Sequence, residues 1–189
     1  MAERGQTRKQ LVASTVEPLR RQGAYGTGLQ DVLTHSGAPR GSLYFHFPGG
    51  KEELVREAIQ DAAGALDRSL QKSLDRQPSV AEGLRDFFGR YAERLAESDF
   101  NAGCPVAAVA LDVPAEGDRL RTACDWALTG WVTMLAERLR DEGKSPEDAE
   151  ALALTSLAAL EGALVLCRAR RSAEPLQAVA AQLHRLLAP

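Results

Sequence analysis

The chain has 189 residues, 44% of them apolar but only 5% aromatic, and a formal net charge of −3. That length is enough to bury a core, and abundant Ala and Leu favour helices over sheets. Cys104, Cys124 and Cys167 are odd in number, far apart and without a Cys-x-x-Cys, which excludes a disulfide framework and reads as reduced cytoplasmic thiols.

Taken in order, the segments predict helices only. Thr7-x-x-Gln10 has capping-box form and opens a first helix that Gly23 closes, with Pro18 expected to kink it. Thr27-x-x-Gln30 repeats that form before a short helix from Leu29 to Ser36; Gly37 ends it, and Pro39 suits the first turn of a third helix running to about Phe47. Two short helices across a Gly-containing turn have helix-turn-helix spacing. A long fourth helix starts at Lys51 with Leu54, Ala58, Ala62, Leu66 and Leu70 on one face, and Pro78 breaks the chain. Ser79-x-x-Glu82 caps a fifth with the stripe Val80, Leu84, Phe87, Phe88, Tyr91 and Leu95. Pro105 opens a short sixth, a seventh runs from about Glu116 to Gly143, Ser145-Pro146-Glu147 caps an eighth, and Leu176 to Leu187 carry the stripe of a last one. The fold class is therefore all-α with about nine helices: a three-helix DNA-binding domain over 1–54 and a helical domain over 55–189, joined inside the fourth helix without a flexible linker. No apolar run is read as long enough to cross a bilayer, and the N-terminus lacks the apolar core of a signal peptide.

Charge is unevenly spread. Residues 1–51 hold seven Lys or Arg against three acids, +4, which leaves −7 on the remainder. A basic head on an acidic body is the pattern of a localised phosphate-binding face, and equally of modest surface scatter. The helical wheel sharpens it. At 100° per residue Leu43 and Phe47 share one face and belong to a small core, whereas Gly41, Ser42, Phe45 and His46 point away beside Arg40. Such an outward set suits a helix in the major groove. The amides at the start of the fourth helix, with Lys51, and those at Thr27 offer anion sites for backbone phosphates.

The run Thr27-(x)9-Gly37-x-x-Arg40-Gly41-Ser42-Leu43-Tyr44-Phe45-His46-Phe47-(x)3-Lys51-Glu52-x-Leu54 resembles the signature of the tetracycline-repressor (TetR) family over about the first 60 residues. Pro48-Gly49-Gly50-Lys51 and Gly103-Cys104-Pro105-Val106-Ala107 are similar to its subgroup containing LmrA and YxaF. The resemblance implies a homodimeric repressor, cytoplasmic and nucleoid-associated when bound, that sits on a palindromic operator of double-stranded DNA and is released by a small-molecule effector. It carries DNA contacts to Thr27, Gln30, Pro39, Arg40, Gly41, Ser42, Tyr44, Phe45, His46 and Lys51. Three departures stand out: Ala38-Pro39 replaces the usual Ser or Thr before the recognition helix, Phe45 replaces a Tyr or His, and Pro18 is unusual in the first helix. The first two bear on operator specificity. They also leave room for a helical small-molecule-binding or enzymatic scaffold that no longer reads DNA.

Effector contacts are sought among aromatics and polar residues of the second domain: Phe87, Phe88, Tyr91, Cys104, Trp126, Thr129, Trp131, Thr133 and Glu161. Core packing explains each aromatic as well, and an ordinary ion pair explains Glu161. Trp126 with Thr122, Thr129 and Thr133 gives the seventh helix a second semipolar face, expected to be walled by neighbours. Ala149, Ala153, Ser156, Ala159 and Ala163 line one side of the eighth helix; with Leu176, Val179, Leu183 and Leu187 of the ninth they are expected to form an isologous four-helix dimer interface. His35, His46 and His184 and the cysteines lack metal-ligand spacing, and no nucleophile motif or phosphate loop is complete, so no metal, cofactor or enzymatic activity is expected.

Overall fold

The computed structural model describes residues 2–39, 41–113 and 118–188, with the side chains of 2–4 left aside. Nine α-helices and no strand occur among the described residues: α1 (Ala2–Gly26), α2 (Leu29–Ser36), α3 (Ser42–His46), α4 (Gly50–Arg76), α5 (Val80–Glu97), α6 (Pro105–Asp112), α7 (Asp118–Asp141), α8 (Pro146–Arg170) and α9 (Glu174–Leu187). The chain folds as two compact units, residues 1–64 with 104–127, and residues 65–103 with 128–189. That division departs from the sequence boundary at 54/55, because α6 and the start of α7 belong with the N-terminal helices. The division at residue 64 falls within α4.

In the first unit α1 packs against α2, α3 and α6. Its core is Leu11, Leu19, Val32, Leu43, Phe47, Leu54, Ala58 and Ile59, each 1% exposed or less. Arg8 ties three elements together: its guanidinium pairs with Glu57 of α4 and lies 4.9 Å from the Phe47 ring centroid. Gly23 interrupts the first helix as expected (φ 67°, ψ −170°), whereas Pro18, expected to kink it, keeps helical backbone angles. Glycine is needed there, since an added Cβ would stand 2.8 Å from Asp112 Oδ2 and 3.2 Å from the Ala108 carbonyl oxygen. Neither threonine box caps its helix: α1 starts ahead of Thr7, and α2 takes Gly28 as N-cap without a side-chain bond.

In the second unit α5 and α8 both pack on α9. Ser79 caps α5 by accepting from the Glu82 amide, as its box predicts, and Ser145 caps α8 through the Asp148 amide. The α5 stripe is buried throughout, with Phe87 edge-on to Phe88 and to Tyr91. By length and composition α8 could cross a bilayer, contrary to the sequence reading, although part of it is buried inside the protein.

Candidate nucleic-acid interface

The short helix α3 has the orientation its wheel requires. Leu43 and Phe47 are buried at 1% and 0% exposure, while Tyr44 and Phe45 stand out at 65% and 57%. A five-residue helix has no stability of its own, so this buried pair fixes its rotation. The His46 ring lies edge-on to Phe45, centroids 5.1 Å apart. Gly41 and Pro39 are exposed, and a Cβ at Gly41 would touch nothing within 4 Å. Gln30 is exposed on α2. Tyr44, Phe45, Gly41, Pro39 and Gln30 thus share one trait, solvent access. Arg40 lies outside the described residues.

Two details correct the sequence reading, and two add to it. Thr27 is 1% exposed and its hydroxyl donates to the Gly23 carbonyl at 2.6 Å, so it braces the chain leading into α2 instead of facing a phosphate. The third helix starts at Ser42 and not Pro39; the Ser42 amide and hydroxyl both donate to the Pro39 carbonyl. At the start of α4 the Gly49 N–H donates to the Glu53 carboxylate at 2.8 Å and the Gly50 N–H to the Phe47 carbonyl at 2.8 Å, so neither is a free donor beside Lys51. Lys51 Nζ donates to the Tyr25 carbonyl at 3.3 Å, leaving two of its three donors for other partners. The Tyr25 amide in turn donates to Asp112 Oδ2 at 2.5 Å. Residues 23–27 are therefore held from α4, from α6 and by their own threonine. Sequence reasoning missed Asp112 and Tyr25, since a backbone-to-side-chain bond across 87 residues leaves no local pattern.

The effector set divides. Phe87, Phe88, Tyr91 and Trp131 are buried in the second unit, and Cys104 is buried as the N-cap of α6 in the first. Glu161 is half-buried. Trp126, Thr129 and Thr133 are exposed, Trp126 at 61%, so the face expected to be walled by neighbouring helices is open. Of this set, Trp126 lines a groove of the first unit. Burial pushes the Cys124 thiol up to about 11 and raises that of Cys167, which keeps both protonated and unreactive near neutral pH.

The expected dimer stripe is also corrected. Ala149, Ala153, Ser156, Ala163, Leu176, Leu183 and Leu187 are all at or below 4% exposure within the single chain; Ala159 and Val179 are half-buried. The small residues let α8 approach α9 of the same protomer. The opposite face of α8 is what remains open, with Leu154, Val165 and Leu166 at 58%, 60% and 45% exposure.

Residues 11–58 match the family described as bacterial regulatory proteins of the tetR family, and residues 80–182 match the LmrA/YxaF-like transcriptional-regulator C-terminal domain. An HTH-type transcriptional regulator of Mycobacterium tuberculosis is 38% identical over 185 residues, covering 95% of this chain and 93% of that protein. The regulator LmrA of Bacillus subtilis is 30% identical, covering 97% of each. Among solved structures, regulatory protein TetR of Rhodobacter sphaeroides superposes with a TM-score of 0.85 at 23% identity, covering 94% of this chain and 96% of that one. A cysteine mutant of the TetR-family regulator CifR, complexed with 26-base-pair operator DNA, superposes at 0.79 with 26% identity and 94% coverage of both chains. An outward-facing α3 on a buried pair, a two-part family match and full-length relatives agree: the chain belongs to the TetR family of DNA-binding transcriptional regulators, with a C-terminal domain of the LmrA/YxaF-like type.

Proposed function

We propose that the protein is a cytoplasmic, homodimeric repressor that binds a palindromic operator through α3, is nucleoid-associated when bound, and is released by a small-molecule effector. The observation that carries this reading is the exposure of Tyr44 and Phe45 above the buried Leu43 and Phe47. Two aromatics held out on a short, fixed helix expose apolar surface that water disfavours and a major groove accommodates. The second copy joins through the outer face of α8, where Leu154, Ala158, Gly162, Val165 and Ala169 follow helical spacing and are exposed. A Cβ at Gly162 would meet nothing within 4 Å, which leaves room for close helix approach. The role is regulatory and non-enzymatic, in keeping with relatives named as transcriptional regulators.

The test is a mobility-shift titration against the DNA flanking the protein's own gene. A saturable retarded band, competed away by the palindrome alone and weakened by Phe45→Ala, is the expected result. Binding no tighter than to unrelated DNA at the same salt would refute it.

A further inference from the structure

Two stripes of the first unit face one another across an open groove. On α4 and its lead-in they are Gly49, Glu52, Glu53, Arg56 and Gln60; on α7, Arg119, Thr122, Ala123 and Trp126. Each follows the i, i+3, i+4, i+7 spacing of a single helix face. The groove has two lobes of about 340 and 490 Å³, and Arg56 and Arg119 line both, so the two guanidiniums form its waist. Trp126 lies in the larger lobe.

The excess positive charge lies in the larger lobe, where Arg56 and Arg119 outnumber Asp118; in the smaller lobe Glu52 and Glu53 balance them. Glu53 accepts from the Gly49 amide and keeps its charge, and Asp118, which lines the larger lobe, pairs with Arg121 at 3.3 Å. Among the described residues Arg56 and Arg119 have neither an ion-pair nor a hydrogen-bond partner, although each presents a planar fork of donors. Beside them stands a tryptophan 61% exposed, with Thr122 and Gln60 at the rim. Two guanidiniums without a partner among the described residues, next to an open indole face, match a flat molecule carrying one carboxylate.

We infer that this groove binds a planar aromatic monocarboxylate, its ring against Trp126 and its carboxylate on the Arg56 and Arg119 guanidiniums. Glu52, in the smaller lobe, disfavours a second negative charge at the far end. The site lies wholly within the unit that carries α3.

β-Naphthoate and its uncharged amide, β-naphthamide, are the probes, titrated calorimetrically into the full-length protein without DNA. Binding is thus read independently of the operator reading, and failure of either leaves the other standing. The acid should bind at least tenfold more tightly than the amide. Arg56→Gln and Arg119→Gln should each weaken the acid about tenfold and leave the amide unchanged, the effect of one charge-assisted hydrogen bond. Trp126→Ala should weaken both. Bound β-naphthoate should quench tryptophan emission in the wild type and fail to do so in Trp126→Phe, where only the buried Trp131 remains. Equal affinity for acid and amide, or unchanged acid binding in both arginine variants, overturns the assignment. So does a fall in dimer mass by light scattering for Trp126→Ala, which would make the indole a subunit contact.

Discussion

Gly23→Ala probes the point where α1 leaves helical geometry, and its cost can be worked from that geometry. Gly23 sits at φ 67° and ψ −170°, a glycine-only region where another residue costs about 1–3 kcal/mol. Its new Cβ would also stand 2.8 Å from Asp112 Oδ2 and 3.2 Å from the Ala108 carbonyl oxygen. The backbone carbonyl cannot retreat as easily as a side chain, so Asp112 must swing away and release the Tyr25 amide. Losing a hydrogen bond to a charged group costs about 1.5–3 kcal/mol. Together these give roughly 2.5–6 kcal/mol, a large part of the ~5–15 kcal/mol that holds a typical domain. At ~2–4 °C per kcal/mol for a chain of this size, the melting temperature should fall on the order of 10 °C by circular dichroism. Asp112→Ala alone should lose only the hydrogen bond. Gly23→Ala made in the Asp112→Ala background should then cost only the backbone part, so the double mutant loses less than the sum of the two single losses. Equal costs of Gly23→Ala in both backgrounds, or a change below ~0.5 kcal/mol, would show that the carboxylate and the glycine are not in conflict.

Three further outcomes follow from other parts of the molecule. Val165→Asp, on the open face of α8, should give monomers by light scattering and abolish operator binding; an intact dimer would place the subunit contact elsewhere. Cys124 is protonated up to about pH 11 in the folded protein but only to 9.0 unfolded, so its contribution is fully present below 9.0 and is lost as pH rises to about 11. Cys124→Ala should therefore flatten the alkaline loss of stability by ~2–3 kcal/mol, and parallel wild-type and variant curves would contradict the burial argument. Replacing the thymine opposite Phe45 with uracil should weaken wild-type binding and hardly affect Phe45→Ala, because the ring can offer a base edge only apolar contact with the methyl group; equal losses would turn Phe45 inward.

Helical periodicity carried most of the fold. The Leu54–Leu70 stripe of α4 and the Val80–Leu95 stripe of α5 are buried as their spacing requires, because one-sided amphipathicity names the face that faces inward. On α8 the same logic is ambiguous. Apolar residues surround that helix, and a row of alanines permits close packing equally within a protomer or between two; only the presence of α9 decides it. Thr27 shows a second limit. A threonine three residues before a glutamine looks the same whether its hydroxyl caps the next helix or reaches back four residues to a carbonyl, as it does here to Gly23. The groove at Arg56 and Arg119 shows a third: each stripe is regular in sequence, but nothing in either reveals that α4 and α7 face one another.

Lys51 brings the local and the functional readings into one experiment. Its ammonium reaches the Tyr25 carbonyl, whose peptide amide is held by Asp112, so it helps fix the chain leading into α2. It is also half-buried, with two donors left for a backbone phosphate. These roles separate by charge. Lys51→Gln keeps a donor for Tyr25 but cannot neutralise a phosphate, whereas Lys51→Ala loses both. A phosphate role predicts that either variant lowers the slope of log affinity against log salt by about 0.9 for each phosphate no longer neutralised. The clamp predicts that Lys51→Ala alone also loses about 1 kcal/mol of stability, the worth of one hydrogen bond. We expect both effects, with Lys51→Gln keeping its stability and losing its slope. A slope unchanged in both variants would leave Lys51 as a brace of the helix-turn-helix and nothing more, and the phosphate partner would then have to be sought among the other cations of the first 51 residues.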